Sequence, residues 1–425
     1  MKYLFALGKF PQISAYEIKS YFLAGGIEFK EIGEFLGEMP FAVYGIEHNL
    51  NAKKMIEELG GTIKIAKIVL EIETRKLLGP FTKQSEKKGK AAARKIKAAK
   101  RNTVELEFDI SDLDKKYLGV RGAPKEIGIS LYFYSKSAIE KTDWEELNEF
   151  LETELKQIAP TPSIVTPQMT KYSESSFIIP SESFARDYAG ENSELVIGIG
   201  KEKTYFGVVE GLYNIDWEKK RGDEMLRPQH WKFGIRTRLG KTLINLARAK
   251  QGDILLDPFC GIGVVLKEAI LNDIHVIGRD LDGNAIKFAA ANMEATLKSY
   301  RKNVSYDIDQ GDARKINLAD NSVDAVATEP YLGKTLKQRP KQDFANQIIN
   351  ELRPIYTGAL KEIYRILKPE KFCAIISPLI TTGRGQVRVD VKKIANQIGF
   401  EVKAPLVEGE HYQIVKREIY VLKKI

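Results

Sequence analysis

The feature that most constrains the fold of this chain is a seven-residue turn, Asp-Pro-Phe-Cys-Gly-Ile-Gly, at residues 257–263. The apolar run 254–256 before it is typical of a buried parallel strand, and residues 264–272 after it are typical of a helix. Two glycines at such a turn let the backbone approach a ligand closely, and the N-terminus of the following helix presents free N–H groups. Taken alone, the pattern also fits an ordinary tight turn.

Acidic residues mark the ends of four successive predicted strands. They follow the alternating strands and helices of the C-terminal half, which predict a parallel, doubly wound sheet. Ligands of such sheets bind at the carboxyl ends of the strands, so the acids are expected to converge on one crevice. The four are Asp257, Asp280, Asp312 and Glu329. Each one also fits a helix cap, because Asp is common at that position.

The order of these motifs resembles that of S-adenosylmethionine-dependent amino-methyltransferases, and most of all the THUMP-containing tRNA guanine-N2 methyltransferases. The resemblance is carried by residues 257–263, by Gly-Arg-Asp-Leu-Asp at 278–282, by Gly-Asp-Ala at 311–313 and by the acid-Pro-aromatic motif at 329–331. It covers roughly Arg227 to Ile425. It implies an α/β, Rossmann-like methyltransferase domain, with a mostly parallel sheet and a C-terminal antiparallel hairpin.

The terminal hairpin separates this fold from a dinucleotide dehydrogenase, and its two strands are expected at 411–416 and 418–422. Leu266 occupies the slot of the third glycine of a dinucleotide fingerprint, which argues against NAD. The cofactor implied by the resemblance is S-adenosyl-L-methionine.

The resemblance also implies which residues line the cofactor site. Asp257 and Gly261 are expected at the methionine end, Asp280 at the ribose hydroxyls, and Asp312 at the adenine amino group. The remaining residues expected beside the cofactor are Phe259, Gly263, Leu281 and Ala313. A segment from Gln229 to Arg238 resembles the family's pre-motif.

The motif after the fourth strand is the expected catalytic loop. The lone pair of an exocyclic amine is delocalised into the base, and hydrogen bonds from the NH2 group to an acid and a carbonyl draw it out toward the methyl group. Glu329, the carbonyl of Pro330, and the ring of Tyr331 suit these roles. The family motif is Asp-Pro-Pro-Tyr-Gly, whereas this chain has Glu-Pro-Tyr-Leu-Gly at 329–333. The departure leaves the target base and atom open.

The N-terminal half divides into three predicted segments before the methyltransferase domain at 241–425. Residues 1–75 have the strand and helix order of a ferredoxin-like domain. Residues 76–214 resemble a THUMP domain, a module associated with binding the tRNA acceptor end. Residues 215–240 form a linker with the cofactor pre-motif.

The strongest charge run lies at residues 83–101, where nine basic residues accompany one acid. Helical spacing would place four of them near one side, where they could follow a nucleic-acid backbone. Those four are Lys83, Lys87, Lys90 and Arg94. Lys334 and Lys337, just after the catalytic loop, are further RNA-binding candidates. A solvated basic surface is the alternative in both places.

The charge balance and the cysteine content narrow the class of protein. With 66 Lys and Arg against 57 Asp and Glu, the formal charge is +9, which favours polyanion partners such as tRNA. Two cysteines among 425 residues exclude a disulfide framework and a four-cysteine zinc site. We therefore expect a cytoplasmic protein without a bound metal or a membrane span.

The resemblance implies a tRNA guanine-N2 methyltransferase, with guanosine 10 as the family's usual target. The alternatives are a DNA adenine-N6 methyltransferase and an RNA-binding protein with a degenerate methyltransferase site. The residues do not specify mono- or dimethylation, the oligomeric state or a small activator subunit.

Overall fold

The computed structural model describes most of the chain in two compact units. The described residues are 1–33, 39–81, 126–135, 137–138, 142, 146–147, 149–153, 163–165, 176–177, 193–227 and 234–425. The first unit comprises Met1–Pro11, Glu28–Glu57 and Thr62–Ile215, and the second comprises Gln12–Ile27, Glu58–Gly61 and Asp216–Ile425.

The first unit is built on one sheet. Its strands are β1 (Lys2–Leu7), β2 (Phe29–Glu31), β3 (Phe41–Ile46), β4 (Thr62–Glu73), β5 (Glu126–Phe133), β6 (Ser163–Val165), β7 (Ser176–Phe177), β8 (Ser193–Ile199) and β9 (Lys203–Leu212). The strands run β2-β3-β1-β4-β9-β8-β5-β6, and β7 pairs with β5. The helices of the N-terminal half that are described from end to end include α1 (Pro11–Ala24), α2 (Ala52–Glu58) and α3 (Thr74–Leu78).

The first four strands are antiparallel in the order β2-β3-β1-β4, and α1 and α2 occupy the connections expected of a ferredoxin-like unit. Strand β4 then pairs antiparallel with β9, from Lys64 opposite Leu212 to Glu73 opposite Lys203. The segments predicted as a ferredoxin-like and a THUMP-like domain therefore share one sheet. The domain boundaries and the THUMP assignment stay predictions.

The second unit contains the other nine strands. They are β10 (Ile254–Asp257), β11 (His275–Asp280), β12 (Tyr306–Gln310), β13 (Val323–Thr328), β14 (Leu367–Thr382), β15 (Gly385–Arg388), β16 (Phe400–Val402), β17 (Leu406–Glu408) and β18 (Val415–Lys424). The helices after α3 are α4 (Ile215–Asp223), α5 (Thr237–Leu246), α6 (Val264–Leu271), α7 (Gly283–Tyr300), α8 (Gln342–Ile366) and α9 (Val391–Ile398).

The second sheet has the order β12-β11-β10-β13-β14-β18-β16. Strands β10 to β14 are parallel, and β18 is antiparallel to β14. The order reverses between β10 and β13, which is the switch point at which ligands bind in doubly wound sheets. The predicted Rossmann-like fold, with its antiparallel C-terminal strand, is confirmed.

One detail of the predicted hairpin is wrong. Residues 411–416 and 418–422 are not its two strands, because Lys416 and Arg417 lie inside the single strand β18. The antiparallel partners of β18 are β14, β16 and β17.

The core of the second unit lies between α8 and the sheet. Buried residues of α8, among them Leu352, Tyr356 and Ile363, pack with Val326, Ile375 and other strand residues. This packing fixes the carboxyl ends of β13 and β14 relative to each other. Among the described residues, no helix combines the length and the apolar character that a membrane crossing requires.

Candidate active site

The turn at 257–263 connects β10 to α6 as predicted from the sequence. Gly263 is the N-cap of α6 with φ 87°, a left-handed conformation that favours glycine. The backbone N–H of Cys260 donates to the carbonyl of Arg279 at 2.9 Å, which holds the turn against the end of β11. The turn thus places the N-terminus of α6 at the switch point of the sheet.

Asp257 is a buried carboxylate at the end of β10. Its Oδ1 accepts hydrogen bonds from the Phe259 N–H at 3.1 Å and from the Thr328 hydroxyl at 2.6 Å. Burial raises the pKa of Asp257 to about 7, against the lowering effect of these two bonds, and the nearby charges of Asp280 and Glu329 raise it further. The site therefore holds a desolvated acid that a cationic ligand group would stabilise as the anion.

Asp280 ends β11 and is half-buried. Its Oδ2 accepts from the Gly261 N–H and its Oδ1 from the Asp282 N–H, both at 2.9 Å. The two backbone donors fix the plane of the carboxylate, and each oxygen keeps a further lone pair for a ligand hydroxyl. Leu281, the next residue, is 62% exposed, so an apolar side chain projects beside this carboxylate.

Asp312 lies two residues after β12, next to the buried Ala313. Its carboxylate pairs with the guanidinium of Arg314, with Nη2 to Oδ2 at 2.6 Å. Hydrogen bonds from Arg314 hold the pKa of Asp312 below its usual value. The guanidinium therefore favours the charged form of this carboxylate, and a ligand amine would share it with Arg314.

Glu329 follows β13 directly and faces the C-terminal strand. Its Oε1 accepts from the Nε of Arg417 at 2.5 Å. The Nη1 of Arg417 also donates to Oε2 of Glu408 at 3.3 Å, and Arg236 forms an ion pair with the other oxygen of Glu408. Four alternating charges thus connect the segment before α5 with the expected catalytic acid.

The rest of the expected catalytic loop is held at its backbone. Pro330 is buried, whereas the ring of Tyr331 is 56% exposed. The hydroxyl of Tyr356, buried in α8, donates to the carbonyl of Ile376 at 3.2 Å and lies 3.5 Å from the carbonyl of Tyr331. The loop backbone therefore lies against the buried Tyr356 hydroxyl, while the aromatic ring of Tyr331 stays accessible to a ligand.

The structure brings some of the predicted site residues together, and others lie outside the described residues. Asp257, Asp280 and Glu329 interact electrostatically, and Asp312 follows the neighbouring strand at the same edge of the sheet. Lys334 and Lys337 are exposed after the loop. Lys83, Lys87, Lys90 and Arg94 lie outside the described residues, as do residues 229–233 of the pre-motif.

Two residues of the site escaped the sequence analysis. Asn292 of α7 accepts from the Leu226 N–H at 2.7 Å and donates to the carbonyls of Leu226 and Ile262, at 3.0 and 2.9 Å. It therefore ties Leu226, just before the pre-motif, to the glycine turn. Arg417 is the second. Neither residue belongs to a recognisable motif, and only the fold brings them to the site.

Both cysteines of the chain are structural. Cys260 and Cys373 are buried, and burial raises the pKa of each thiol well above its usual value. A thiol in that state is a poor nucleophile. In such environments a cysteine acts as a small apolar packing residue.

Comparisons with known proteins find similarity to methyltransferases. A family model described as "RMKL-like, methyltransferase domain" matches residues 225–377, a range that contains Asp257, Asp280, Asp312 and Glu329. The tRNA (guanine(10)-N2)-dimethyltransferase of Methanothermobacter thermautotrophicus is 33% identical over 107 residues, which are 25% of this chain and 30% of that protein. The protein of the same name from Pyrococcus abyssi is 26% identical over 210 residues, 49% of this chain and 55% of that protein.

The matched relatives are covered only in part. The chain spans about a third to about half of the lengths of these two relatives. Among solved structures, TrmN from Thermus thermophilus is 12% identical with a TM-score of 0.49, over 100% of both chains.

Proposed function

We propose that this chain transfers a methyl group from S-adenosyl-L-methionine to the exocyclic N2 amine of a guanosine in tRNA, at guanosine 10. The observation that carries the proposal is the placement of Glu329-Pro330-Tyr331 beside the buried Asp257, at the switch point of a methyltransferase-type sheet. The base and its position come from the relatives, which are named tRNA (guanine(10)-N2)-dimethyltransferases.

The residues at the sheet edge fit this cofactor. Asp257 offers a desolvated carboxylate to the positive methionine end, Asp280 offers an oriented carboxylate to the ribose diol, and Leu281 offers an exposed apolar surface to the purine. Asp312, whose charged form Arg314 favours, would accept from the adenine amine. Phe259, Gly261, Gly263 and Ala313 complete this proposed set. When bound, the cofactor supplies an electrophilic methyl group on a sulfonium.

The loop after β13 supplies what the target amine needs. Glu329 and the carbonyl of Pro330 would accept the two hydrogens of the NH2 group, which directs the nitrogen lone pair at the methyl group. The exposed ring of Tyr331 would stack on the base. As the nitrogen gains the methyl group it must release one proton, and the Glu329 carboxylate is the acceptor within reach. The loop thus performs positioning and modest base chemistry.

The RNA-binding part of the proposal rests on charge. Lys334 and Lys337 are exposed beside the loop, where they would contact phosphates next to the target nucleotide. Lys83, Lys87, Lys90 and Arg94 supply a second basic stretch in the predicted THUMP-like domain. A tRNA substrate also favours a cytoplasmic location. A partner subunit is not required by this proposal.

The test is methylation of defined RNA and DNA. The protein is incubated with labelled S-adenosylmethionine and either unmodified tRNA or duplex DNA, and the digested nucleosides are identified by mass. We expect N2-methylguanosine or N2,N2-dimethylguanosine from tRNA alone, and its loss in Glu329→Ala.

A matched substrate makes this test specific for the atom. A tRNA assembled with inosine at position 10 lacks only the N2 amine, so it should accept no label. Label in the inosine tRNA would contradict the proposal that the N2 amine of guanosine 10 is the methylated atom. Methyladenine in DNA would favour an adenine-N6 methyltransferase, and cofactor binding without any transfer would favour a degenerate site.

A further inference from the structure

The catalytic loop of this chain differs from the family motif by an acid that is one methylene longer. A glutamate side chain has one more rotatable bond than aspartate, so its carboxyl group samples more positions unless a neighbour holds it. The structure contains such a neighbour, because Arg417 of β18 contacts Glu329 across 88 residues of sequence.

The contact uses only one end of the glutamate carboxylate. Nε of Arg417 donates to Oε1 at 2.5 Å. Among the described residues, no group donates a hydrogen bond to Oε2. The Glu329 side chain is 14% exposed and that of Arg417 is 30% exposed, so the pair lies at the crevice wall and not in bulk solvent. Partial burial makes such a charge-assisted bond stronger than a surface ion pair.

Arg417 is itself held in place. Glu408 lies directly opposite it in the β17–β18 ladder and accepts from its Nη1 at 3.3 Å. Burial alone would lower the pKa of Arg417, but the carboxylates of Glu329 and Glu408 raise it above the usual value. The guanidinium is therefore a fixed, charged group on a rigid strand.

We propose that Arg417 is a positioning residue for methyl transfer: it anchors Oε1 of Glu329, so that Oε2 is presented to the exocyclic amine of the target base. This inference rests on the proposed function and explains how a glutamate serves where the family has an aspartate. The Glu329–Arg417 pair acts as one functional unit, and Glu408 holds the Arg417 guanidinium in place.

The experiment compares Arg417→Gln, Arg417→Lys and a matched control in steady-state tRNA methylation. The control is Arg388→Gln. Like Arg417, Arg388 forms an ion pair with a glutamate: its Nη1 donates to Oε1 of the buried Glu418 in β18 at 2.6 Å. We expect Arg417→Gln to lower kcat at least about tenfold, since a misplaced reacting group costs far more in rate than in binding. The Kd for S-adenosylmethionine should change less than about twofold, because neither residue belongs to the proposed cofactor site. KM for tRNA should change much less than kcat, because the Glu329 hydrogen bond to the target amine is one of many contacts with the tRNA. Arg417→Lys should recover part of kcat.

A double-mutant cycle separates positioning from general stabilisation. In Glu329→Asp the shorter carboxylate retreats from Arg417, so adding Arg417→Gln should cost much less in kcat than it costs in the wild type. Additive losses would overturn the inference. So would an equal loss of kcat in Arg388→Gln, or an Arg417→Gln loss that appears only in KM or in the melting temperature.

A spectroscopic measurement tests the pair without turnover. In protein labelled with 15N-arginine, the Nε–H resonance of Arg417 should be protected from solvent exchange and should shift in Glu329→Gln. An unprotected resonance that ignores that substitution would overturn the inference. A wild-type protein that methylates no tRNA would instead refute the proposed function, and the inference would fall with it.

Discussion

The hydroxyl of Thr328 donates a 2.6 Å hydrogen bond to Oδ1 of Asp257, and this bond joins the carboxyl ends of β13 and β10. Asp257 begins the glycine turn and Thr328 precedes Glu329. The cofactor side and the substrate side of the proposed site are therefore coupled through one buried bond between neighbouring strands.

Replacing Thr328 by Val should destabilise the protein most at alkaline pH. The hydroxyl favours the charged form of Asp257, so its loss raises the pKa of that carboxyl further. We expect a loss of about 1.5–3 kcal/mol in the free energy of unfolding at pH 9 and a smaller loss at pH 5, where Asp257 is neutral. Urea unfolding at the two pH values measures this. Thr335→Val, at an exposed threonine, is the control, and equal losses at both pH values would refute the coupling.

Replacing Asp257 by Asn should flatten the pH dependence of stability in the absence of cofactor. Burial raises the folded-state pKa of Asp257 from 3.8 to about 7. Its contribution is therefore fully present below pH 3.8 and is lost as the pH rises through 7. At pH 8 the ionised acid costs up to about 4 kcal/mol, which the Asn variant avoids. Thermal unfolding between pH 5 and pH 8 checks this.

The same substitution should weaken cofactor binding, which titration calorimetry measures. The stability gain and the affinity loss together would show that the chain tolerates a buried anion for the sake of a cationic ligand. An Asn variant as pH-sensitive as the wild type would contradict the assignment of the transition to Asp257.

Replacing Gly263 by Ala should impair the cofactor site more than it impairs folding. Gly252 and Gly263 both have φ above 80°, so Ala at either position costs about 1–2 kcal/mol of backbone strain. At Gly252 a Cβ atom meets nothing, whereas at Gly263 it lies 2.8 Å from the Met293 Cε and must displace it. We expect similar melting temperatures for the two variants. Only Gly263→Ala should bind S-adenosylmethionine more weakly, and equal affinities would exclude a role of this turn.

Replacing Asn292 by Asp should damage the junction between Leu226, just before the pre-motif, and the glycine turn. The carboxylate still accepts from the Leu226 N–H but faces two carbonyl oxygens that the amide had bound. We expect a loss of at least about 2 kcal/mol at neutral pH, together with weaker cofactor binding. Asn284→Asp is the control, because Asn284 is exposed in the first turn of the same helix. A loss of equal size there would contradict the role of Asn292.

Replacing Tyr331 by Ala should lower kcat/KM for tRNA, and Tyr331→Phe should retain it. Stacking of a base on an aromatic ring contributes about 1–3 kcal/mol, and phenylalanine keeps the ring. Tyr306→Ala is the control. Tyr306 is also exposed, but it lies at the start of β12, whereas the proposed site lies at the carboxyl ends of the strands. If Tyr331→Ala and Tyr306→Ala methylate tRNA equally well, the stacking role is wrong.

The sequence identifies the site residues at strand ends, but not the residues from distant parts of the chain that contact them. Asp257, Asp280 and Glu329 were predictable, because each follows an apolar strand in a motif and parallel strands end at a common edge. Asn292 and Arg417 were not, since they act over 66 and 88 residues of sequence. Such contacts are determined by the packing of distant segments, and no local sequence pattern predicts that packing.

The misplaced hairpin has a related physical cause. Lys416 and Arg417 are charged residues of the kind that usually mark a turn, and they interrupt an apolar alternation. In the structure they remain inside β18, because Arg417 finds Glu329 and Glu408 as partners. Charges inside a strand are tolerated where other elements neutralise them, and those elements are distant in sequence.

The pairing of β4 with β9 determines how this chain can be divided. A fragment that begins at residue 76 would lack β4 and would present the backbone of Lys203–Leu212 as an open sheet edge. Unpaired edges of that length recruit other strands, so the fragment should self-associate. The N-terminal segment is therefore not a separable module. Genetic recombination at residue 76, like truncation there in the laboratory, would produce an aggregation-prone fragment instead of a transferable RNA-binding domain.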